Sequence, residues 1–600
     1  MNADNEAHFE EFLLGRLSTS AGRTEEARHE RKGFFDLATL EPLDPKPGEP
    51  IRLRFRCGAD VTLLRLHVFW TDDGTEPEWN GRFEKQNSTQ SAFARPLAAV
   101  WDTLAWGYIQ DWEIELPAMP DGSLLRYAAV GIATDGQSVP CPSPIRKRHS
   151  SPEFAAVSID RLQPPDWLSA AVIYQVFVDR FAPTPGRAFA DHGDLSNRLG
   201  GTLWGLIDRL DDIASLGVNA IWLTPIFASP NYHGYAVSDF FRVEPALGGN
   251  AAWEKFVEAC RERGLRILLD FVANHVSDQH PAFAAAIASK SSPTRNWFRF
   301  RRWPKTYDCF FDVSHQPELD AEQPAVRDHL LKAAVHWLEN GCDGYRLDYA
   351  HGLSHGFWSQ FRAATRAAAP DSAAFGEITH TPQVIRSYEG RLDGCLDFVL
   401  CELLRGTFAR GTLRLSQFES QLRHHNDFFQ DRLVLPSFLD NHDMNRFLIA
   451  ADGDVRRLKV AALVQFLLPN PPVIYYGTEI GLSQDRPLGR LEEARLPMPP
   501  HEQWDHELRA FYCDLIRLRR EIDPLRNPLQ LQRVDDETRT AAWRIGRFEL
   551  LVNLGDQQVH SLGGSQLRLA TFNPGADSLD SGRLELPSLS AAVIAGPDDR

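Results

Sequence analysis

Acidic side chains follow several short apolar segments of the sequence, at the point where each segment ends. The acids that share this position are Asp179, Asp270, Asp348, Glu377, Asp397, Asp443 and Glu479. A single acid of this kind usually caps a helix or accepts a hydrogen bond at a strand end. Several buried together repel one another, which raises the pKa of at least one and separates a proton donor from an ionised partner. Glycoside hydrolysis needs such a pair.

The apolar segments that carry these acids have the length of buried β-strands. The eight strand candidates lie at 171–179, 218–227, 265–275, 342–351, 373–380, 393–403, 433–443 and 471–481. Helical spacing fills the intervals, for example at 203–217, 251–264, 325–341 and 454–468. Eight strand–helix units predict an α/β fold of the (β/α)8 TIM barrel type, in which strand ends converge on one mouth. Counting alone leaves an open, doubly wound sheet as the alternative.

Patterns typical of β-structure precede and follow the barrel segment. Apolar and polar residues alternate from residue 51, which predicts an N-terminal β-sandwich within 1–165. The barrel is predicted for 166–525, with a long aromatic-rich insertion at 276–322 after the third strand, and a small C-terminal β domain for 526–600. Helical spacing with many charges at about 5–30 indicates an exposed or dimer-forming helix, with a disordered segment as the alternative.

Composition and charge narrow the classes of partner. The 600 residues are 43% hydrophobic and 24% charged, as in ordinary globular proteins. A net charge of -17 argues against nucleic acid and against an anionic membrane, whereas a neutral substrate would not be repelled. The eight cysteines show neither a C-x-x-C pair nor zinc-site spacing, which indicates reduced structural thiols.

The N-terminal sequence and the hydropathy pattern indicate where in the cell the protein is expected. The first residues are acidic and lack the basic and apolar regions of a secretory signal. No apolar run reaches the roughly 18 residues that a membrane-spanning helix needs. These features predict a cytoplasmic protein without a transmembrane segment.

Four short motifs end the third, fourth, fifth and seventh strand candidates. They are DFVANH at 270–275, GYRLDYAH at 344–351, GEITH at 376–380 and FLDNHD at 438–443. Together, and in this order, they resemble the α-amylase family of glycoside hydrolases over about 166–525. The flanking β domains resemble the cyclomaltodextrinase, neopullulanase and maltogenic amylase branch. The resemblance implies a retaining hydrolase of maltooligosaccharides, cyclodextrins or related short α-glucans, acting through a covalent glycosyl-enzyme without an organic cofactor.

The resemblance also implies roles for the charged residues of these motifs. Asp348 is expected to be the nucleophile and Glu377 the general acid and then the base. Asp443 would be the third carboxylate, which holds hydroxyl groups of the sugar. Arg346 stands two residues before Asp348, on the same strand face, where its cation would keep that carboxylate ionised. A purely structural salt bridge is the alternative for Arg346.

Histidines and one tyrosine resemble the groups that hold the sugar in this family. His275 and His442 resemble the imidazoles that hydrogen-bond the sugar being cleaved. Tyr235 in NYHGYAVSDF resembles the stacking platform, with His233 beside it.

Two further positions concern a metal. Asp270 and Asn274 match positions that shape the site, and Asn274 binds calcium in some family members. In calcium-dependent relatives a histidine stands four residues after the nucleophile, whereas this chain has Gly352 there. We therefore predict no metal.

Other positions depart from the family pattern and leave linkage and product open. QPELD at 316–320 fits no branch cleanly, Tyr349 is an unusual residue after the nucleophile, and Thr379 replaces a tryptophan that is usual in the branch. An α-glucosidase, a transglycosylase or a sugar isomerase is therefore the main alternative. A non-catalytic carbohydrate-binding scaffold belongs to another class, but such proteins normally lose one of the three acids.

One aromatic segment has no assigned role. Residues 100–112 contain three tryptophans and a tyrosine. The segment could contact sugar, face the partner in a homodimer, or fill the core of the β-sandwich.

Overall fold

The protein is described by a computed structural model that covers most of the chain. The residues it describes are 19–29, 31, 34–35, 40–78, 88–141, 155–190, 193–430, 432–487, 489–574 and 579–596. The predicted N-terminal helix at about 5–30 lies partly outside these residues. Its described part contains the helix Ser20–His29.

The N-terminal strands form one hydrogen-bonded sheet that folds over a shared apolar core. The predicted alternation is present, because Ile51, Leu53, Phe55 and Cys57 are buried while the residues between them are half exposed. The strands are Phe34–Phe35, Leu40–Glu41, Ile51–Cys57, Leu63–Thr71, Gln90–Pro96, Val100–Asp102, Gly107–Leu116, Ser123–Ala133, Ser138–Pro140 and Ala155–Ile159.

Eight parallel strands follow and confirm the predicted barrel. They are Ile173–Val176, Ala220–Leu223, Arg266–Phe271, Gly344–Leu347, Ala373–Gly376, Gly394–Cys395, Ser437–Phe438 and Pro472–Tyr475. The first six strands pair in chain order, the seventh pairs with the eighth, and the eighth pairs with the first. The ring closes between the sixth and seventh strands, where the Cys395 N–H donates to the Val434 carbonyl at 2.9 Å. The sheet is therefore a closed barrel rather than an open one.

Helices surround the barrel and bury its outer face. Val326, Leu330, Ala333 and Trp337 are all buried, and the Trp337 indole N–H donates to the Phe240 carbonyl at 2.7 Å. The principal helices are Leu203–Asp208, Leu210–Leu216, Gly249–Glu262, Pro324–Glu339, His355–Ala368, Pro382–Arg386, Phe398–Leu404, Leu415–Phe429, Val455–Leu467 and His506–Ile522.

The sixth strand is much shorter than the segment 393–403 predicts. It ends at Cys395, and a helix begins at Phe398. The Asp397 side chain accepts a hydrogen bond from the Leu400 N–H at 2.9 Å and so caps this helix. The apolar run continues past the cap because the helix is also buried, and hydrophobicity alone does not distinguish the two elements.

The predicted insertion after the third strand has secondary structure of its own. It contains the helix Pro281–Ala288 and a small hairpin of Phe300–Arg302 with Thr306–Tyr307. Its QPELD segment pairs with the end of the third strand: the Val276 N–H donates to the Pro317 carbonyl at 3.1 Å, and the Leu319 N–H donates to the Asn274 carbonyl at 2.9 Å. This segment therefore fixes the backbone that carries Asn274 and His275.

A second set of antiparallel strands follows the barrel. The strands are Gln530–Asp535, Thr540–Ile545, Phe548–Asn553, Gln558–Ser561, Gln566–Ala570, Arg583–Leu586 and Ser590–Ala595. The Trp543 indole N–H donates to Glu419 at 2.6 Å and ties these strands to a barrel helix. The architecture of barrel, insertion and flanking β domains is as predicted, while the boundaries at 165 and 525 stay predictions.

The aromatic segment 100–112 lies mainly on the surface. Trp101, Trp106 and Tyr108 are 46%, 77% and 67% exposed, whereas Trp112 is buried. The core interpretation is therefore wrong for all of these residues except Trp112. Six of the eight cysteines are buried. Within the described part of the chain, no helix combines the length and apolar character needed to cross a bilayer.

Replacing Trp337 tests how far the packed helices support the barrel. Trp337→Ala leaves a large cavity and removes a buried hydrogen bond, so we expect the free energy of unfolding to fall by about 3 to 5 kcal/mol. Chemical denaturation followed by far-UV circular dichroism measures this loss. Lys332→Ala changes an exposed residue of the same helix and should have little effect. Equal losses in both variants would contradict the packing argument.

Candidate active site

The predicted site residues lie together at one end of the barrel. Asp270 is the second-last residue of the third strand, and Arg346 lies in the fourth with Asp348 just after it. Glu377 follows the fifth strand, and Asp443 lies on the loop after the seventh. The carboxyl ends of parallel barrel strands point to the same face, which is why residues far apart in sequence meet here.

The Arg346 guanidinium lies at the centre of this group and is fully buried. Its Nη1 donates to Asp270 Oδ1 at 2.7 Å and to Asp348 Oδ1 at 2.9 Å. Its Nη2 lies 2.7 Å from Glu377 Oε1. One cation thus contacts three carboxyl groups. Burying these acids without it would leave their repulsion uncompensated.

Burial and mutual repulsion shape the protonation of this cluster. Burial raises the pKa of Asp348 and of Glu377, Arg346 opposes this rise, and nearby carboxylates add to it. Burial also raises the pKa of Asp270, again against Arg346. Crowded acids of this kind do not all ionise together, so the cluster can hold a proton beside a carboxylate.

Asp443 has a different environment from the other acids. Burial opposes its ionisation, but His442 and Arg495 outweigh that effect and hold its pKa well below the usual value. His442 Nε2 lies 2.8 Å from Asp443 Oδ2, and Arg495 Nη2 donates to Oδ1 at 2.7 Å. Asp443 therefore stays ionised while its neighbours compete for a proton.

Two groups fix the ring of His442. The Gln175 side-chain amide nitrogen lies 2.7 Å from Nδ1, and the opposite ring nitrogen, Nε2, faces Asp443. The Tyr235 ring stacks on the imidazole at 5.5 Å between ring centroids and 4° between planes. The Tyr235 hydroxyl donates to Asp270 Oδ2 at 2.9 Å. Tyr235, His442 and Asp270 are thus rigidly connected.

The loop that carries Tyr235 needs a glycine. Gly234 has a φ of +79°, and a Cβ there would lie 2.3 Å from the Pro225 carbonyl oxygen. The backbone turn lets the Tyr235 N–H donate to His233 Nδ1 at 3.1 Å. His233 and Tyr235 therefore lie side by side, as the sequence predicts.

His275 is buried with one nitrogen unsatisfied. Burial lowers its pKa to about 3, so the imidazole is neutral. Its Nε2 has no hydrogen-bond partner among the described residues, and its ring stacks on Phe310 with centroids 4.3 Å apart. A buried polar atom without a partner is costly, and a ligand hydroxyl would relieve that cost.

Tyr349 connects the site to an aromatic wall. Its backbone is left-handed, with φ 43° and ψ 49°, and in this conformation its N–H donates to Glu377 Oε2 at 3.2 Å. Strained backbone of this kind concentrates at functional sites. Its ring meets Phe310 at 4.9 Å and Phe311 at 5.6 Å between centroids. Phe311 is also left-handed and is 52% exposed.

Three of the acids named from the sequence have other partners. Asp397 caps a helix and also lies 2.9 Å from His425 Nε2. Asp179 accepts hydrogen bonds from the Leu199 and Gly200 N–H groups at 2.9 and 3.2 Å. Glu479 accepts from the Tyr174 hydroxyl at 2.8 Å, and burial raises its pKa to about 7. Among the described residues, none of these three acids contacts Arg346. Their role is therefore better explained as helix capping or as accepting structural hydrogen bonds.

Sequence reasoning missed Arg495, Tyr232 and Gln175. Arg495 donates to the His442 carbonyl at 2.8 Å and to the Tyr232 hydroxyl at 2.9 Å, in addition to Asp443. It lies on the loop after the eighth strand, where the barrel rule places functional residues. The only feature of the sequence that could have indicated Arg495 was the presence of a cationic residue in that loop. Gln175 lies inside the first strand and had no signal of its own.

Asn274, at the position that binds calcium in some family members, lies against His275 and Gly352. The Asn274 amide nitrogen lies 3.5 Å from His275 Nδ1, and a Cβ at Gly352 would come within 2.4 Å of Asn274 Oδ1. The described residues contain no group of three or more His, Cys, Asp or Glu side chains arranged to hold a metal.

Comparison with known proteins adds to this geometry. The family model described as "Alpha amylase, catalytic domain" matches residues 175–543. Alpha-amylase 2 of Dictyoglomus thermophilum is 32% identical over 492 residues, which are 81% of each chain. The intracellular maltogenic amylase of Bacillus subtilis strain 168 is 31% identical over 475 residues, covering 74% of this chain and 79% of the relative. A solved cyclomaltodextrinase structure covers 94% of this chain and 99% of its own, with 26% identity and a TM-score of 0.64.

These matches agree with the motif order, the barrel and the flanking β domains. The predicted branch is confirmed by relatives that carry the names maltogenic amylase and cyclomaltodextrinase. The chain belongs to the α-amylase family of glycoside hydrolases.

Proposed function

We propose that this chain is a retaining hydrolase of short α-glucans, with Asp348 as nucleophile, Glu377 as general acid and base, and Asp443 as the third carboxylate. The observation that carries the proposal is the Arg346 guanidinium, which lies 2.9 Å from Asp348 and 2.7 Å from Glu377. One cation beside both carboxyl groups suits a pair that shares a proton. The retaining course itself rests on membership of the family.

The proposed reaction has two steps that use the same two groups. Asp348 attacks the anomeric carbon as Glu377 gives its proton to the departing glycosidic oxygen, which leaves a glycosyl ester on Asp348. Glu377 then takes a proton from water, the water oxygen attacks the anomeric carbon, and the ester bond to Asp348 breaks. The sugar leaves with its original anomeric configuration, and Glu377 is protonated again.

The surrounding residues suit a neutral sugar. The unpaired His275 Nε2 would meet a hydroxyl group, and the ionised Asp443 would accept from others. The Tyr235 ring, held by Asp270 and His442, offers an aromatic face to the apolar side of a pyranose. The charge of Asp443 would also stabilise the positive charge that develops on the sugar in the transition state.

The substrate class follows from the relatives. Their names point to cyclodextrins and to maltose-releasing cleavage, and we extend these to this chain as maltooligosaccharides, cyclodextrins or related short α-glucans. Product analysis on maltotriose, pullulan, sucrose and cyclodextrin tests this. Glucose from chain ends would favour an α-glucosidase, and new disaccharides would favour a transglycosylase or isomerase.

Location and assembly are also proposals. The relative named intracellular supports a cytoplasmic enzyme. The exposed Trp101, Trp106 and Tyr108 support a homodimer through this surface, with contact to a sugar as the alternative.

Asp348→Asn tests the nucleophile. We expect turnover of an activated aryl α-glucoside to fall by about 10⁴-fold or more, because an amide cannot form the glycosyl ester. Steady-state kinetics measures the loss, and circular dichroism checks that the variant is folded. Asp194→Asn removes a carboxylate that is 47% exposed and should retain full activity. A folded Asp348→Asn enzyme with normal turnover would refute the assignment.

Glu377→Gln tests the general acid. Oligosaccharides have poor leaving groups that need a proton, so their cleavage should fall by about 100- to 10,000-fold, whereas an aryl substrate with an acidic leaving group should form the ester nearly as fast. Burst-phase measurements separate ester formation from ester hydrolysis. Because the pKa of Glu377 is raised, wild-type activity should decline as pH rises through that pKa. An equal loss of ester formation with both substrates would exclude the acid role.

Arg495→Met tests whether the Arg495 cation keeps Asp443 ionised. Loss of this cation raises the pKa of Asp443, so the acidic limb of the kcat/KM profile should move to higher pH, with kcat/KM reduced by about 100-fold. Arg495→Lys should restore part of the activity and of the pH profile. Arg490→Met alters a 49% exposed arginine of the same loop and serves as the control. A lower activity with an unshifted acidic limb would mean that Arg495 only supports the fold.

A further inference from the structure

A cavity lies where the N-terminal sheet meets the barrel, and none of the active-site residues lines it. Its volume is about 620 Å³. One wall is formed by Arg54 and Arg56 of the strand Ile51–Cys57. The other is formed by Arg386, at the end of the helix Pro382–Arg386, and by Phe428 and Arg432 near the end of the helix Leu415–Phe429. Small-molecule sites have volumes of this order, roughly 300 to 1,000 Å³.

The cavity carries positive charge in an acidic protein. Four arginines line it, against the two acids Glu41 and Asp111, while the whole chain has a net charge of -17. The ion pairs behind the walls do not reverse this excess. When these ion pairs are included, the group contains six arginines and four acids. The arginines are Arg52, Arg54, Arg56, Arg95, Arg386 and Arg432, and the acids are Glu41, Asp111, Glu113 and Glu389. The local field therefore attracts an anion.

The arginines on the two walls differ in how firmly they are held. On the sheet side, Arg54 lies 2.9 Å from Glu113 and Arg56 lies 3.0 Å from Asp111, both as direct hydrogen bonds. On the barrel side, Glu389 is the only described carboxylate that Arg386 and Arg432 approach, at 3.9 and 3.8 Å. These distances exceed hydrogen-bond length. The barrel-side pair therefore keeps most of its donor capacity.

Arg386 shows this most clearly. Its Nε is buried and has no hydrogen-bond partner among the described residues. Its guanidinium lies over the Phe428 ring, 5.1 Å from the centroid, which fixes its plane without using its N–H donors. Because Arg386 and Arg432 approach the same carboxylate, their guanidinium groups converge on one part of the wall.

We propose that this cavity binds the phosphate group of a small phosphorylated molecule, with Arg386 and Arg432 as the donors. Guanidinium groups match phosphate oxygens in geometry and charge, and bind them more strongly than a neutral acceptor. Bound phosphate supplies acceptors to N–H groups that have none at hydrogen-bond distance among the described residues. The remaining volume accommodates the organic part of the ligand. The proposal does not depend on the chemistry assigned to Asp348 and Glu377.

Calorimetric titration of the full-length enzyme tests the proposal. The probes are inorganic phosphate and glycerol 3-phosphate, with glycerol as the neutral control, at an ionic strength held constant with sodium chloride. We expect both anions to bind at one site per chain and glycerol not to bind. Equal affinity for the two anions would identify the free ion as the ligand. Tighter binding of glycerol 3-phosphate would mean that the organic part also contacts the cavity.

Charge-neutral variants assign the binding to this cavity. The double variant Arg386→Gln and Arg432→Gln should weaken phosphate binding at least tenfold. Arg517→Gln removes the same charge from a site that is 78% exposed on another helix and should leave the affinity unchanged. If the double variant melts at a lower temperature than the wild type, the single variant Arg432→Gln, at a position that is 51% exposed, repeats the measurement in a folded protein.

Three results would overturn the proposal. The first is no binding of either anion at millimolar concentration. The second is binding that survives unchanged in the arginine variants, since the anion would then lie elsewhere. The third is equal binding of glycerol and glycerol 3-phosphate, since charge would then play no part.

Discussion

The contacts of the buried Arg346 guanidinium are the interactions on which the candidate active site depends. Asp270, Asp348 and Glu377 come from three neighbouring strands, and without a shared cation their charges would repel one another in the barrel interior. The barrel supplies the position, because the fourth strand lies between the third and the fifth. The side chain of one strand can therefore reach both neighbours.

The two sides of the site are kept in different electrostatic states. Around Arg346, burial raises the pKa of Asp348 and Glu377 more than the arginine lowers it, which favours the protonated acids. Around Asp443, His442 and Arg495 dominate and favour the ion. Gln175 and Tyr235 hold His442 between these regions, so the orientation of one imidazole links the two. The proposed reaction, in which one acid gives a proton and another stabilises a cationic sugar, would benefit from this separation.

Much of the fold and the centre of the site could be predicted from the sequence, because both follow from short-range patterns. The two-residue spacing of Arg346 and Asp348 places them on one strand face, and apolar runs separated by amphipathic helices indicate the barrel. Contacts between distant loops could not be predicted in this way. Arg495 reaches Asp443 across the mouth, and the left-handed backbone of Tyr349 depends on its tertiary surroundings. The predicted length of the sixth strand was too great because a buried helix continues its apolar run. The exposure of Trp101 and Trp106 has no signature that separates them from Trp112.

The closure of the barrel has a consequence for how the molecule responds to heat. The seam between the sixth and seventh strands joins two-residue strands through three backbone hydrogen bonds, from Val434 to Asp393, from Cys395 to Val434 and from Asp397 to Pro436. Fewer bonds must break there than between the longer strands that carry Arg346 and Asp270. We therefore expect local thermal opening of the ring at this seam, away from the strand that carries the buried cation.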